Sequence, residues 1–474
     1  MPGLSAVEMS PLPLARFEPL IGERRFHALT EMAARAKVQL AGVTVWNVNS
    51  TAAGGGVAEM LRVLVGYCLD AGVDVRWHVI SGDDTFFSVT KRLHNQLHGF
   101  PGDGAIVPAD VEHYRRLTDS LGAEFAELVR PGDVVLLHDP QTAGMAAQLA
   151  AAGAHVIWRS HVGVDHQNYW TEAAWSFLRP HLEMCQAFVF SRRSYAPDWL
   201  PADAVVVIPP SIDPFSVKNR DLTTEDVVDI LQRAGMLAMN DKGASASSRE
   251  SATVISRRAT VVGEGDSIDP DMPLVVQVSR WDRLKDMAGV MSGFVQEVAG
   301  RIDDVHLALV GPAVAAVSDD PEGADVLAQC VAAWHALPIE MRRRVSLVTL
   351  PMDDLEENAA MVNAVQRHAT VVVQKSLAEG FGLTVAEAMW KARAVVASGV
   401  GGINDQVAPG TGILLDDPAD LGAFGMALAG LLADPAEIER LGKAARERVL
   451  GDFVGDQHLA AYAALMEKLH LRSD

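Results

Sequence analysis

The chain has 474 residues, of which 49% are hydrophobic and 21% are charged. This length exceeds what one hydrophobic core usually organises, so we expect two domains with ample apolar material for each. The formal net charge of −21 argues against a nucleic-acid-binding protein, because such proteins need a basic face. An anionic ligand must therefore be held by local basic residues.

The cysteines and the N-terminus indicate a compartment. Cys68, Cys185 and Cys330 are far apart and include no C-x-x-C pair, which is typical of small buried side chains in a reducing environment. The first residues, M-P-G-L-S-A-V-E-M-S-P, lack the apolar core of a signal peptide. No apolar run is long enough to span a bilayer. We expect a cytoplasmic protein without membrane or nucleic-acid partners, and the sequence leaves a homodimer open.

Short apolar segments alternate with helical stretches along the chain. After the glycines at 54–56, Val57, Leu61 and Leu64 recur at helical spacing. This alternation predicts an α/β fold with parallel sheets, and two such series predict two doubly wound domains. The first series has strands at 43–48 and 73–79 and strands that end at 137, 158, 190 and 208. The second series has strands at 274–278, 305–310, 345–350, 370–373, 395–397 and 413–415.

Composition also suggests the domain limits. The proline-rich stretch I-P-P-S-I-D-P at 208–214 breaks regular structure. We therefore predict an N-terminal domain at 1–211 and a C-terminal domain at 212–450, and we expect a last helix at 451–474 to pack back on the N-terminal domain. Residues 240–271 are rich in Ser, Gly and Asp, which favours a flexible, solvated insertion over a lid that binds a ligand.

The segment 375–391, K-S-L-A-E-G-F-G-L-T-V-A-E-A-M-W-K, says most about function. It places Glu379 and Glu387 on either side of a glycine turn that leads from a buried strand into a helix starting near Leu383 or Thr384. The free N–H groups of a helix N-terminus bind anions, whereas carboxylates accept hydrogen bonds from hydroxyl groups. A nucleotide sugar has both phosphates and hydroxyls, and it is the ligand that this combination predicts.

Polar residues follow several other predicted strands, where ligands of doubly wound sheets bind. Arg280 and Lys285 form a cationic pair suited to a diphosphate, although a solvated helix start explains them equally well when they are seen alone. His138 and His161 each stand at a strand exit, where an ordinary polar loop residue is an equally good interpretation. The other polar residues at strand exits include Asn49, Asp139, Gln141, Arg159 and Asp165.

Some familiar sites do not fit the sequence. The glycines at 54–56 do not form G-x-G-x-x-G, and the second strand ends at Ile80-Ser81-Gly82 rather than at an acidic residue that would hold an adenosine ribose. We favour phosphate or sugar approach over a bare turn at these glycines, because they start a helix directly. The sequence has no Cys/His/Asp cluster with metal spacing and no G-x-S-x-G motif.

Together these motifs resemble the retaining GT-B nucleotide-sugar glycosyltransferases, and among them the trehalose glycosyltransferring synthases. The matching segments lie between about Phe17 and Leu415. They are N-V-N-S-T-A-A-G-G-G-V-A-E, D-V-R-W-H-V-I-S-G-D, H-D-P-Q and E-G-F-G-L-T-V-A-E-A-M-W-K. The chain departs from the resemblance in the serine-rich stretch before Leu274 and in S-H-V-G-V-D-H at 160–166. The resemblance implies two Rossmann-like domains facing across a cleft.

The resemblance also implies a role for each candidate residue. Arg280 and Lys285 would neutralise the donor diphosphate, Glu379 would hold hydroxyls of the transferred glucose, and Glu387 would hold the ribose. His161 would be a fourth catalytic residue, orienting the donor glucose. The further donor-side residues would be Gly55, Gly56, Arg159, Leu350, Gly382, Leu383 and Thr384. The acceptor-side residues would be Asn49, His138, Asp139 and Gln141.

The implied reaction is transfer of glucose from an NDP-glucose to glucose, with retention, to form α,α-trehalose. No metal or other cofactor is expected, because arginine and lysine would supply the positive charge. Two alternatives stay open. One is a retaining trehalose phosphorylase, and the other is an inactive protein that senses a sugar or nucleotide.

Overall fold

The computed structural model describes residues 3–52, 56–239, 255–265, 267–314 and 322–470. The chain divides into two compact units. The first consists of Met1–Ser211 together with Phe453–Asp474, and the second of Ile212–Asp452. The polypeptide therefore leaves the first unit in the proline-rich stretch and returns to it for the last helix.

Within the described residues, the strands are β1 (Gly3–Val7), β2 (Val45–Asn49), β3 (Val75–Ser81), β4 (Val134–His138), β5 (His155–Ser160), β6 (Ala187–Phe190), β7 (Val205–Val207), β8 (Thr260–Val262), β9 (Leu274–Val278), β10 (His306–Pro312), β11 (Val345–Leu350), β12 (Val371–Gln374), β13 (Ala394–Ser398) and β14 (Ile413–Leu415).

The α-helices of the same residues are α1 (Glu18–Ile21), α2 (Glu23–Gln39), α3 (Gly56–Asp70), α4 (Asp84–Leu97), α5 (Pro108–Ala126), α6 (Asp139–Ala143), α7 (Ala146–Ala151), α8 (Tyr169–Leu182), α9 (Thr224–Arg233), α10 (Met287–Gly293), α11 (Gly323–His335), α12 (Ile339–Arg342), α13 (Leu355–His368), α14 (Leu383–Trp390), α15 (Ile403–Gln406), α16 (Leu421–Leu432), α17 (Pro435–Asp452) and α18 (Gly455–His470).

The sheet of the first unit has the order β1-β3-β2-β4-β5-β6-β7. Strands β2 to β7 are parallel, as the sequence predicts. Strand β1 was not predicted. It pairs antiparallel with β3, from Gly3 opposite Ser81 to Val7 opposite Trp77. Its five residues are half-buried or exposed, so they lack the apolar run that marks a buried strand.

The sheet of the second unit has the order β14-β13-β12-β9-β10-β11-β8. Its strands are parallel except β8, which pairs antiparallel with β11, with Thr260 opposite Thr349 and Val262 opposite Leu347. Strands β9 and β12 are adjacent at the centre. Parallel strands present their carboxyl ends at one edge of the sheet, so residues that follow β9 and β12 lie close together.

Of the insertion predicted at 240–271 to be flexible and solvated, residues 255–265 are mostly exposed or half-buried, but they include regular structure that the sequence did not predict. This part contains β8, and Glu357 on α13 holds the residues before it. The Ser256 hydroxyl donates to Glu357 Oε1 at 2.5 Å, and its backbone N–H donates to Oε2 at 3.3 Å. Composition does not reveal this anchor, because it depends on a residue far away in sequence. Residues 240–254 lie outside the described residues.

The central strands of both sheets are buried on both faces. Every residue of β4 and β9 is buried, which explains their continuous apolar sequences. Around β4 and β5, Trp158, Trp175 and Phe190 pack edge to face with ring centroids about 6 Å apart. Burial of each such side chain contributes roughly 1.5–3 kcal/mol. The polar residues that end these strands therefore stand on a rigid frame.

The last helix completes the first unit. Helix α18 packs against α2 and α3, and Asp456 in its first turn accepts two hydrogen bonds from Arg25, at 2.5 and 2.7 Å. No single helix among the described residues is long and apolar enough to cross a bilayer. Only α16 and α17 taken together reach that length and apolarity, and they meet at a bend of 102°.

Candidate active site

A lysine and a glutamate meet at the carboxyl edge of the second sheet. Lys285 follows β9 and ends a short 3₁₀ turn, whose first N–H groups are capped by Asp282. Glu379 follows β12. The Lys285 Nζ atom lies 2.5 Å from Glu379 Oε2, and both side chains are largely buried, at 13% and 12% exposed. The structure therefore brings together a cation and a carboxylate that the sequence placed at two separate strand exits.

Arg280 lies in the same loop but in different surroundings. Its side chain is 47% exposed, and Nη2 is 3.5 Å from Asp282 Oδ2. An exposed ion pair of this kind contributes little to stability. The guanidinium of Arg280 is therefore more exposed to solvent than the ammonium of Lys285.

The glycine turn predicted between the two glutamates is present. Gly382 has a φ of 83° and precedes α14, which begins at Leu383. The turn also contacts Gly402, whose N–H donates to the carbonyl oxygen of Gly380 at 3.1 Å. A Cβ atom on Gly402 would lie 2.7 Å from Phe381 Cα, so only glycine fits there. The N–H groups of Leu383 and Thr384, the first two of α14, have no partner within the helix, and the turn that precedes them packs against the Glu379 side chain.

Glu387 occupies the buried face of α14. It is 5% exposed, and its Oε1 lies 3.5 Å from Lys218 Nζ. Among the described residues, the buried Oε2 atom has no hydrogen-bond partner. An unsatisfied buried acceptor is costly, so this oxygen is suited to accept a hydrogen bond from a ligand hydroxyl.

Sequence reasoning missed two lysines around Glu387. Lys218 lies in the segment that follows the unit boundary, where no pattern marked it. Lys391 ends the predicted motif itself and is buried, with Nζ donating to Asn219 Oδ1 at 2.9 Å, Gln366 Oε1 at 2.8 Å and Glu387 O at 3.2 Å. Burial lowers the pKa of Lys391, and Glu387 opposes that shift. Lys391 belongs to the motif that the sequence analysis singled out, but the sequence alone does not show that its side chain points inward.

In the first unit, two histidines and an asparagine form a buried chain of hydrogen bonds. His138 Nε2 is 3.1 Å from Asn47 Oδ1, and His138 Nδ1 is 3.0 Å from His161 Nε2. Because Asn47 Oδ1 is an acceptor, His138 carries its proton on Nε2 and accepts at Nδ1 from His161. The two rings are stacked with centroids 5.3 Å apart. Asn47 was not predicted, since it lies inside β2 rather than at its exit.

Asp139 lies beside this chain with an unusual backbone. Its φ is 63°, and its Oδ1 accepts the backbone N–H of His161 at 2.8 Å. Burial raises the pKa of Asp139 to about 7. Its carboxyl group therefore changes between the protonated and ionised forms near neutral pH. A left-handed backbone and a shifted pKa in one residue are both frequent at functional sites.

The other predicted residues of the first unit have different surroundings. Asn49 is fixed at both ends of its amide, since Oδ1 accepts from Trp77 Nε1 at 2.8 Å and Nδ2 donates to Thr51 O at 2.7 Å. Gln141 is half-buried, and among the described residues its Oε1 has no partner. Asp165 is paired with Arg192.

Arg159 points towards the end of β7 and the last helix. It is fully buried, and its guanidinium donates to the Tyr462 hydroxyl on α18 and to Ile208 O at 3.2 Å. The donor-side role implied for Arg159 remains a prediction, and these contacts favour a structural role instead.

Three backbone positions were also predicted on the donor side. The Leu350 carbonyl accepts from Ala313 N at 2.8 Å, and the next carbonyl, of Pro351, accepts from an asparagine side chain at 2.9 Å. Gly56 is the first residue of α3, and Gly55 lies outside the described residues. Across the residues that the structure describes, no group of three or more His, Cys, Asp or Glu is arranged to hold a metal ion.

Buried histidines should make the stability of the first unit depend on pH. Burial lowers the pKa of His138 and His458 to about 3 and that of His161 well below its ordinary value. Below pH 6.5 the unfolded chain binds protons at these three sites and the folded chain does not, so stability is lost as pH falls. Asp139 opposes this, because the folded state keeps its proton up to about pH 7. The net of about two protons from these four groups predicts a loss of stability of roughly 2–3 kcal/mol per pH unit between pH 6 and 5. Burial also lowers the pKa of His78 and His181 in the same unit, which adds to that loss.

Urea unfolding at several pH values measures how steeply the free energy of unfolding changes with pH. His138→Gln should reduce this slope by about 1.4 kcal/mol per pH unit, whereas His27→Gln, at an exposed histidine, should leave it unchanged. An unaltered slope in His138→Gln would contradict the prediction.

Known proteins resemble this chain over nearly its whole length. Residues 47–197 match the family model described as trehalose synthase, N-terminal domain, and residues 355–448 match glycosyl transferases group 1. A trehalose synthase from Rubrobacter xylanophilus is 34% identical over 96% of this chain and 97% of its own length. A trehalose phosphorylase from Pleurotus sajor-caju is 23% identical over 96% of this chain and 61% of its own length.

Solved structures support the fold. An α,α-trehalose 6-phosphate synthase from Burkholderia multivorans superposes with a TM-score of 0.65 at 14% identity, covering 90% of this chain and 97% of that one. The two seven-stranded sheets with their helices are those of the GT-B fold. On the full-length similarity to the bacterial protein, this chain belongs to the trehalose synthase family of GT-B glycosyltransferases.

Proposed function

We propose that this protein transfers glucose from a nucleoside diphosphate glucose to glucose and forms α,α-trehalose with retention of configuration. The observation that carries the proposal is the Lys285–Glu379 pair, 2.5 Å apart, at the sheet edge where α14 begins. A cation and free N–H groups suit a diphosphate, and a carboxylate beside them suits sugar hydroxyls. Membership of the trehalose synthase family supports the choice of product.

Each part of the donor has a suitable partner in the second unit. The diphosphate would lie against the N-terminus of α14 and Lys285, with Arg280 as a second cation. An ammonium group has three donors, so Lys285 can bind a phosphate oxygen and keep its bond to Glu379. Glu379 would then hold hydroxyls of the glucose. The unpartnered Oε2 of Glu387 would accept from the ribose.

The reaction needs little besides charge stabilisation. In front-face transfer, the bond between the anomeric carbon and the diphosphate oxygen breaks, and the acceptor oxygen bonds to the same face of that carbon. The acceptor hydroxyl gives its proton to the leaving diphosphate oxygen, so no protein base is required. Negative charge grows on the diphosphate, where Lys285 and the helix N–H groups stabilise it. The proposal therefore needs no metal ion.

The first unit supplies groups suited to the acceptor. The two histidines of the Asn47–His138–His161 chain are neutral, because burial lowers the pKa of both imidazoles. Both ring nitrogens of His138 are already hydrogen-bonded, so the Nδ1 atom of His161 and the amide of Gln141 are the groups that would bind sugar hydroxyls without adding charge. Asp139 is the titrating group beside them, and it would accept a hydroxyl proton in a hydrogen bond when ionised.

Product identification tests the proposal. The purified protein is incubated with separate NDP-glucoses and glucose, with and without EDTA, and the products are identified by NMR. We expect α,α-trehalose and a nucleoside diphosphate, with activity unaffected by EDTA. Glucose 1-phosphate formed only from trehalose and phosphate would instead identify a phosphorylase. Binding of a nucleotide sugar without any product would identify a sensor, and an absolute need for Mg²⁺ would contradict the metal-free mechanism.

A further inference from the structure

A second lysine forms an ion pair with Asp286, the residue that follows Lys285 in the chain. The side chain of Lys375 is fully buried, and its Nζ forms an ion pair with Asp286 Oδ2. Asp286 is the residue after Lys285, and its φ of 47° places it in the left-handed region. Non-glycine residues adopt this conformation at a cost of about 1–2 kcal/mol, although Asp tolerates it better than most. The chain therefore turns sharply just after Lys285, and the turn is held by Lys375.

Asp286 has a further contact that fixes its orientation. Its Oδ1 accepts the N–H of Gly289 at 3.1 Å and so caps the N-terminus of α10. One carboxylate thus binds the helix that follows it with one oxygen and Lys375 with the other. Its side chain has no freedom to rotate without losing one of these bonds.

A buried glutamine joins the same two loops. Gln277 is fully buried on β9, and its Nε2 donates to Lys285 O at 2.7 Å. Its Oε1 accepts the N–H of Lys375 at 3.1 Å. In addition, Leu377 N donates to Leu284 O at 2.7 Å. The loop that carries Lys285 is therefore connected to the loop that carries Glu379 by side-chain and backbone bonds that do not involve either functional side chain.

Stability alone does not explain an ion pair whose lysine is fully buried and whose aspartate is half-buried. Replacing both partners of such a pair with uncharged residues is often neutral or stabilising, whereas removing one partner leaves an uncompensated charge. Neither Lys375 nor Asp286 has a role in the reaction proposed above. We infer that Lys375 and Asp286 are positioning residues, which act through the backbone turn at Asp286 to hold the Lys285 ammonium where it meets Glu379 and the donor diphosphate. This inference rests on the proposed function for the identity of the donor.

Three variants separate positioning from stability. Asp286→Asn removes the charge but keeps a side chain that caps helices and tolerates the left-handed backbone. Lys375→Met keeps the approximate volume. The double variant removes both charges and should regain most of the stability that either single variant loses. Lys443→Met on α17, at an exposed lysine, is the control for loss of a lysine.

The expected result is a loss of turnover that stability does not follow. A displacement of about 1 Å at a reacting group costs about a hundredfold in rate. We therefore expect kcat of the double variant to fall about a hundredfold, while its melting temperature returns towards that of the wild type and its donor KM changes much less. Lys443→Met should retain wild-type turnover. Wild-type kcat in the stable double variant would overturn the inference.

Acylation of lysines, quantified for the Lys285 peptide by mass spectrometry, gives a readout that does not depend on product. Lys285 paired with Glu379 in a largely buried position should react slowly, and it should react severalfold faster in the double variant. An unchanged labelling rate would overturn the inference even if the protein made no trehalose. Failure to form trehalose in the wild type, with faster labelling in the variant, would instead reject only the proposed function.

Discussion

Lys285→Ala is expected to lower kcat by about two to three orders of magnitude, the range observed when one preorganised donor to a developing charge is removed. Lys285 is largely buried and paired with Glu379 at 2.5 Å, so it requires little reorganisation as the diphosphate leaves. The variant also leaves Glu379 without its cation beside the donor phosphates, which adds repulsion. Steady-state kinetics with saturating NDP-glucose and glucose measure the effect.

Matched variants isolate the contribution of Lys285. Lys443→Ala removes an exposed lysine of the second unit and should retain wild-type kcat. Arg280→Ala removes a more exposed cation of the same loop and should also lower kcat, but less than Lys285→Ala, because a more solvated charge stabilises the leaving group less. Near-normal turnover in a correctly folded Lys285→Ala variant would contradict the assignment of the diphosphate to this edge.

The sequence predicts the strands that are buried on both faces. The limits of β9, β11 and β14 agree with the predicted segments, because each is mostly apolar and is bounded by residues that break or leave the apolar pattern; β14 shows that this holds even for a half-buried strand. The sequence does not predict β1 or β8. Both are edge strands with exposed residues, and they exist because a neighbouring strand offers unpaired backbone groups. Such pairing depends on contacts distant in sequence, which local composition does not encode.

The candidate site also has features that the sequence predicts and features that it does not. The sequence predicts that Lys285 and Glu379 lie close together, because strand exits in parallel sheets lie at a common edge, and the structure pairs them. The direction of a side chain could not be found in this way. Arg159 sits at a strand exit and yet binds Tyr462 and Ile208. Lys391 lies in the same motif as Glu387, yet its contacts depend on residues far from it in sequence.

Glu387→Gln is expected to weaken donor binding with little loss of kcat at saturating donor. The substitution keeps the size of the side chain, but it replaces one carboxylate oxygen with an NH₂ group, which cannot accept from a ribose hydroxyl. It also removes the charge that faces Lys218 at 3.5 Å. Hydrogen bonds to charged groups contribute about 1.5–3 kcal/mol, which corresponds to an increase in donor Kd of roughly 10- to 150-fold. The ribose is remote from the reacting bond, so the loss should fall on binding.

A nucleotide ligand that lacks the ribose hydroxyls tests whether Glu387 binds them. Calorimetry gives Kd for the ribo- and 2′,3′-dideoxynucleoside diphosphates with the wild type and with Glu387→Gln. The wild type should lose affinity for the dideoxy ligand, whereas the variant should lose little more, because the two changes remove the same hydrogen bonds. Glu447→Gln, at an exposed glutamate of α17, should behave as the wild type. Fully additive losses would show that Glu387 and the ribose hydroxyls act independently, and the ribose would then have to be assigned to another part of the second unit.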